Sequence, residues 1–226
     1  MKRAVKPKRR RLSPHEKARI AEIFRRFEAA SADPRTELGY ASPYTLLVAV
    51  VLSAQATDKS VNKATLRLYQ VADTPQKMLA LGEAALIPYI AAIGLFRTKA
   101  RNVIALSRIL VEQYGGDVPL EREKLQALPG VGRKTASVVL NELGVEPAIA
   151  VDTHVFRVAH RLGLSKGKTP EEVERDLMAI TPEPLRTRAH HWLILHGRYV
   201  CVARKPKCWE CLVADLCPSR ELFLGG

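Results

Sequence analysis

The chain has 226 residues, 47% of them hydrophobic, enough for one large domain or two modest ones with a packed core and no covalent staples. Lys and Arg outnumber Asp and Glu 36 to 23, a net charge of +13, which favours a polyanionic partner. No apolar run approaches the roughly 20 residues that span a bilayer, and the basic start MKRAVKPKRRR lacks the apolar stretch of a signal peptide, so neither a spanning nor an exported protein is expected.

In chain order, residues 1–14 read as a basic arm, with Lys2, Arg3, Lys6, Lys8, Arg9, Arg10 and Arg11 in a dense positive run. Such an arm adds phosphate contacts; a short import address or a tail with no specific task has the same composition. Helix starts follow at Ser13-Pro14, Ser42-Pro43, Thr74-Pro75, Thr169-Pro170 and Thr181-Pro182, each placing an N-cap hydroxyl before an N1 proline. Ser13 with Glu16 and Thr169 with Glu172 are full capping boxes. Leu46 to Leu52 is a continuous apolar run that could be a buried strand, but its proline-led start and alanine-rich continuation favour a buried helix. Val103, Leu106 and Leu110 share a helical face, as do Val155, Val158, Ala159 and Leu162, and Val173, Leu177 and Ile180. No alternating pattern flanks a hairpin turn, so the fold class is all-α.

Residues 125–140, LQALPGVGRKTASVVL, form a hairpin of two short helices. Pro129 and Gly130 end one helix and Gly132 opens the next. Free backbone N–H groups at the second helix N-terminus make a phosphate site, and the glycines let a phosphate approach closely. A P-loop is excluded, because Arg133 separates Gly132 from Lys134 and no strand signal precedes the segment. An ordinary packing hairpin has the same local signature. Lys134 sits in the first turn, where the helix dipole disfavours a cation and so favours the neutral amine of a nucleophile. Its default reading is a solvated surface charge. Asp152, in Val151-Asp152-Thr153-His154, reads locally as the N-cap of the next helix and functionally as a carboxylate partner for Lys134.

All four cysteines lie at one end, as Cys201-x6-Cys208-x2-Cys211-x5-Cys217. Clustering of this kind indicates a metal site rather than a disulfide framework. Structural zinc usually takes paired short knuckles; one continuous, uneven loop suits a [4Fe–4S] cube, which the spacing favours. Arg204, Lys205 and Lys207 inside the loop could hold phosphates or offset the charge of a thiolate-ligated cluster.

Five segments together resemble the endonuclease III family of helix-hairpin-helix DNA glycosylases: Ser53-Ala54-Gln55-Ala56-Thr57-Asp58, Ile93-Gly94-Leu95-Phe96, Leu128 to Ala136, Val151 to His154, and the cysteine loop. They run in family order over about residues 15–220. The resemblance implies an all-α fold of two helical domains flanking a cleft. One is a helical barrel, residues 36–147, with the helix-hairpin-helix at about 122–141. The other, residues 15–35 plus 148–226, holds a C-terminal [4Fe–4S] cluster on Cys201, Cys208, Cys211 and Cys217. It further implies Lys134 as nucleophile, Asp152 as essential carboxylate, Leu95 as wedge, Gln55 as filler of the hole left by a flipped base, and Gly130, Gly132 and Arg133 on the DNA backbone. Phe96 stands where the family often has tyrosine.

The activity implied is base-excision repair by a bifunctional glycosylase that removes oxidised pyrimidines and cuts abasic sites by β-elimination. The partner implied is double-stranded DNA carrying damaged pyrimidines or abasic sites, met by a monomer in a bacterial cytoplasm, at the nucleoid. Leu95 has a competing reading as a core leucine. Two rival functions are a monofunctional glycosylase of the same superfamily, which lacks a lysine at this hairpin position, and a non-catalytic DNA-binding module with a zinc loop, which gives Lys134 and Asp152 no joint task.

Overall fold

The computed structural model describes residues 12–223; the basic arm expected at residues 1–14 lies almost entirely outside them. Among the described residues the secondary structure is helical throughout, with no strand, as the all-α reading requires. No helix is long and apolar enough to cross a membrane. The chain divides into two compact units, residues 36–148 and the discontinuous pair of segments 12–35 and 149–223.

The continuous unit is built around α2 (Pro43–Ser53), whose residues Tyr44 to Leu52 are all buried. The apolar run is therefore a helix enclosed on every side, which is why it shows no amphipathic period. Around it lie α3 (Asp58–Leu68), α4 (Pro75–Ile90), α5 (Phe96–Tyr114), α6 (Arg122–Gln126) and α7 (Arg133–Glu142). Their apolar stripes, Val61 and Leu68, Leu86 and Ile90, Val103, Leu106 and Leu110, and Val139 and Leu140, complete one core. Two tyrosines find partners in it: Tyr44 Oη pairs with Ser107 Oγ at 2.7 Å, and Tyr69 Oη donates to the Thr45 carbonyl at 2.7 Å. Burial pushes both phenols up, beyond the ordinary tyrosine range. The α4 segment is two helical pieces joined at Gly82, whose φ of 76° requires glycine.

The discontinuous unit packs α1 (Pro14–Ala30) with α8 (Thr153–Arg161), α9 (Pro170–Ile180) and α10 (Arg186–Tyr199). Ile20, Ile23, Phe24 and Phe27 of α1 meet Val155, Val158, Val173, Leu177 and Leu193 in its core. A Cβ at Gly197 would lie 2.9 Å from His154 Cβ, so glycine sets how closely α10 approaches α8. Trp192 is buried, and its Nε1 donates to the Ser31 carbonyl at 2.8 Å.

The capping boxes at Ser13/Glu16 and Thr169/Glu172 form, and a third appears at Ser42, with Thr45 in place of the acidic residue. Thr181 departs from its expected capping role. It ends α9, its N–H bonded to the Leu177 carbonyl, and its buried hydroxyl has no hydrogen-bond partner. Pro182 then opens a 3₁₀ turn, Glu183–Leu185, that leads into α10. The extended backbone there serves the exit of one helix, so the hydroxyl cannot cap the next.

Candidate active-site elements and metal centre

The hairpin joins α6 to α7 through residues 127–132. Leu125, Leu128 and Val131 are buried and anchor the turn in the core. Gly130 has φ +79°, and a Cβ there would meet the Asn102 side chain at 2.9 Å, so both conformation and space demand glycine. Gly132 is the N-cap of α7 and makes no side-chain cap hydrogen bond. Arg133 and Lys134 are the first two helical residues and both are exposed. Arg122 ties the two helices together: Nη1 donates to Ser137 Oγ at 2.9 Å, and Nη2 pairs with Glu146 at 2.9 Å.

Gln55 and Leu95 lie on neighbouring loops of the same unit. Both have left-handed backbones, φ 55° and 59°, unusual for residues with a Cβ. Leu95 is 59% exposed, which removes the core reading. Its neighbour Ile93 is buried, and Phe96 packs partly against the core with the Arg97 guanidinium 5.0 Å from its ring centroid.

Asp152 belongs to the other unit and caps α8 as its local sequence requires. Its Oδ1 accepts from the N–H groups of His154 and Val155, both at 2.8 Å. The Arg157 guanidinium one turn further on lies 3.2 Å from His154 Nδ1 through Nη2 and donates to the Cys201 carbonyl at 3.0 Å through Nε.

The four cysteines line a common pocket with Arg161, His196, Arg220 and Phe223. Burial pushes the Cys211 thiol up to about 11, and the other three thiols push it the same way; Cys217 is raised likewise. Four thiolates coexist in such a pocket only around strong positive charge. No three His, Cys, Asp or Glu side chains among the described residues are grouped to hold one metal ion. Sulfurs set around a pocket wall suit a multi-iron cube. A buried donor with no partner, the Nε of Arg220, lies on the same wall and supplies a place for a sulfur acceptor. The residues therefore fit a [4Fe–4S] cluster.

The loop is held from outside by arginines that the sequence reading did not single out. Arg19 Nη1 donates to the carbonyls of Leu162 and Leu216 at 2.8 and 3.0 Å. Arg26 donates to the Leu212 carbonyl and forms a two-point pair with Asp215 at 2.6 and 2.8 Å. Arg161 donates to the Val202 and Ala203 carbonyls, each at 2.7 Å. The available signal was arginine at i, i+4 on α8 and i, i+7 on α1; the target carbonyls are too distant in sequence to infer. Arg204, Lys205 and Lys207 are exposed, and Lys207 pairs with Glu210 at 3.4 Å.

A helix-hairpin-helix scaffold followed by a four-cysteine cluster loop defines a base-excision DNA repair protein: residues 48–183 match the HhH-GPD superfamily base excision DNA repair protein family, and residues 201–217 match the iron-sulfur binding domain of endonuclease III. The chain is 57% identical to endonuclease III of Treponema pallidum, covering 90% of this chain and 96% of that one. It is 54% identical to endonuclease III of Escherichia coli K12, covering 91% and 97%. A solved structure of a trapped endonuclease III–DNA covalent intermediate superposes with a TM-score of 0.86 at 42% identity, covering 94% of this chain and 99% of that one. The chain belongs to the endonuclease III family. It is a DNA glycosylase with abasic-site lyase activity, and its cofactor is a [4Fe–4S] cluster.

Proposed function

We propose that the protein removes oxidised pyrimidines from double-stranded DNA and cuts the resulting abasic site, with Lys134 as nucleophile and Asp152 as its carboxylate partner. The observation that carries this reading is Lys134, exposed at the second position of α7, the helix that follows directly on the N-cap Gly132. The hairpin N–H groups with Gly130, Gly132 and Arg133 hold a backbone phosphate, which sets the register of the strand. The damaged base leaves the stack, and Leu95 and Gln55 occupy the space it vacates.

The neutral Lys134 amine attacks the sugar C1′. The C1′–N bond breaks, the base departs with its electron pair, and the lysine proton passes to Asp152 or to the leaving base. The lysine nitrogen's lone pair then forms the C=N bond as C1′–O4′ breaks and O4′ takes a proton. The resulting ring-opened Schiff base acidifies C2′–H, and loss of that proton expels the 3′-phosphate and breaks the strand. Hydrolysis of the imine returns the lysine. The cluster, when bound, supplies a rigid fixed loop; with all four cysteines as ligands it offers no open position for chemistry. A monomer acting on DNA in a bacterial cytoplasm completes the proposal.

Borohydride added during reaction with an abasic duplex should trap a protein–DNA adduct whose attachment maps to Lys134. Lys134→Ala should bind the duplex and yield none. An adduct at the wild-type rate in that variant would remove Lys134 from the mechanism. A relative captured as a covalent intermediate on DNA supports the choice of experiment.

A further inference from the structure

The wall of the cysteine pocket carries three side-chain donors from three separate elements. Arg161, at the end of α8, places Nη1 3.5 Å from Cys201 Sγ. His196, in α10, places Nε2 3.7 Å from Cys211 Sγ. A metal-bound thiolate only accepts, so Nε2 carries the imidazole proton. Arg220, in the closing 3₁₀ turn Arg220–Phe223, lines the same pocket with its Nε buried and unpartnered. A buried donor of a charged group left without an acceptor loses its hydration with nothing in return. Its persistence marks an acceptor that the polypeptide does not supply.

Arg161 and His196 are fixed by other side-chain contacts, and Arg220 is held at its backbone. Arg161 is tied to two loop carbonyls and covered by the Phe223 ring, 4.4 Å from its guanidinium carbon. The His196 ring stands edge-on to Phe27, centroids 5.2 Å apart. Arg220 donates its backbone N–H to the Cys217 carbonyl at 3.2 Å. Arg161 and His196 can therefore aim a hydrogen bond without first losing side-chain freedom, and burial confines the Arg220 Nε.

We propose that Arg161, His196 and Arg220 form a hydrogen-bonding shell that sets the reduction potential of the cluster, with Arg220 Nε–H donating to one of its sulfurs. Adding an electron makes the sulfurs better acceptors, so the shell stabilises the reduced member of the couple and raises its potential. None of the three is a cluster ligand, and none has a part in the glycosylase chemistry proposed above.

The midpoint potential of the holoprotein, measured by voltammetry in the wild type, Arg220→Met, His196→Phe and the double variant, tests the proposal. Each substitution should move the midpoint to more negative values. The double variant should change the one-electron equilibrium about tenfold, which corresponds to about 59 mV. A purely scaffolding role would alter iron content or melting temperature and leave the potential alone. Unchanged midpoints at full iron content overturn the proposal. A measurement on the unsubstituted protein guards against a variant that fails to hold iron: the Fe–S(Cys) stretching bands in resonance Raman should shift when the donors are exchanged in D₂O. Bands that do not move overturn the proposal equally.

Discussion

Gln55 and Leu95 are the two non-glycine residues with left-handed backbones among those described, and their loops meet: a Cβ on Gly94 would lie 3.7 Å from the Gln55 carbonyl. Such conformations cost on the order of 1–3 kcal/mol each and persist where the surroundings over-determine them. Facing loops that both hold this strain, with Leu95 exposed, fit a pair of side chains preset for entry into a duplex. Leu95→Ala should cut lesion cleavage roughly tenfold or more and leave the melting temperature within about a degree or two, because an exposed side chain contributes little to stability. The loss should shrink when the lesion lies opposite a mismatch, where extrusion is cheaper. A large drop in melting temperature would speak for packing instead.

Asp152 separates capping from chemistry. Its Oδ1 bonds to His154 and Val155 N–H groups can be reproduced by an asparagine amide oxygen. Asp152→Asn should therefore melt near the wild type yet lose most base release. Asp152→Ala should lose activity and also about 1 kcal/mol of stability through the missing cap. Calorimetry together with single-turnover base release distinguishes the two, and full activity in Asp152→Asn would leave the residue a cap alone.

Lys134→Arg should fail as completely as Lys134→Ala, since a guanidinium stays protonated and cannot attack. Binding of an abasic duplex should survive in the arginine variant, because the charge is kept. Trapping and gel-shift assays on the same preparation check both statements.

Lys99 lies in α5, 4% exposed, and its Nζ is buried with no hydrogen-bond partner. Loss of hydration pushes its pKa down. A lowered ammonium pKa means that the folded state resists protonation, so the penalty is present at neutral pH and fades as pH rises toward the ordinary lysine range. Lys99→Met keeps the stem and removes the charge. It should raise stability by on the order of 1 kcal/mol at pH 7, with a smaller gain at pH 10. Melting curves at the two pH values would show the trend, and an equal gain at both would assign it to packing.

The basic arm lies outside the described residues, and its effect can be read from binding. Deleting residues 1–11 removes seven cationic side chains. Each phosphate that the arm no longer neutralises should lower the log–log salt slope by about 0.9, with lesion discrimination unchanged. An unaltered slope would keep the arm off DNA.

Much of this structure is legible in sequence because local chemistry settles it. Ser13, Ser42, Thr74 and Thr169 cap helices with a proline behind them, and Gly130 answers to a positive φ. The box at Ser42 is harder to see because Thr45 does the work of a glutamate. Thr181 carries the same two-residue signal as the true caps but ends a helix, a choice made by how α9 and α10 connect. The cysteine spacing indicates a metal, whereas the arginines that hold its loop are silent in sequence. Arg19 and Leu216 are far apart in the chain, and only packing brings them together. The left-handed backbones of Gln55 and Leu95 oppose local preference and arise from the surrounding fold.

The bonds from Arg19 and Arg26 to residues 162–163 and 212–216 also bear on the order of assembly. Helix α1 is synthesised before segment 36–148, and the residues that Arg19 and Arg26 hold are synthesised after it, the farthest 197 residues beyond Arg19. At typical elongation rates the interval is roughly 10 to 40 s. Throughout it Ile20, Ile23, Phe24 and Phe27 have no finished core to enter, while segment 36–148 has all of its own as soon as residue 148 is made. The unit begun before the other thus closes after it, and the four-cysteine site is complete only once Cys217 has been made.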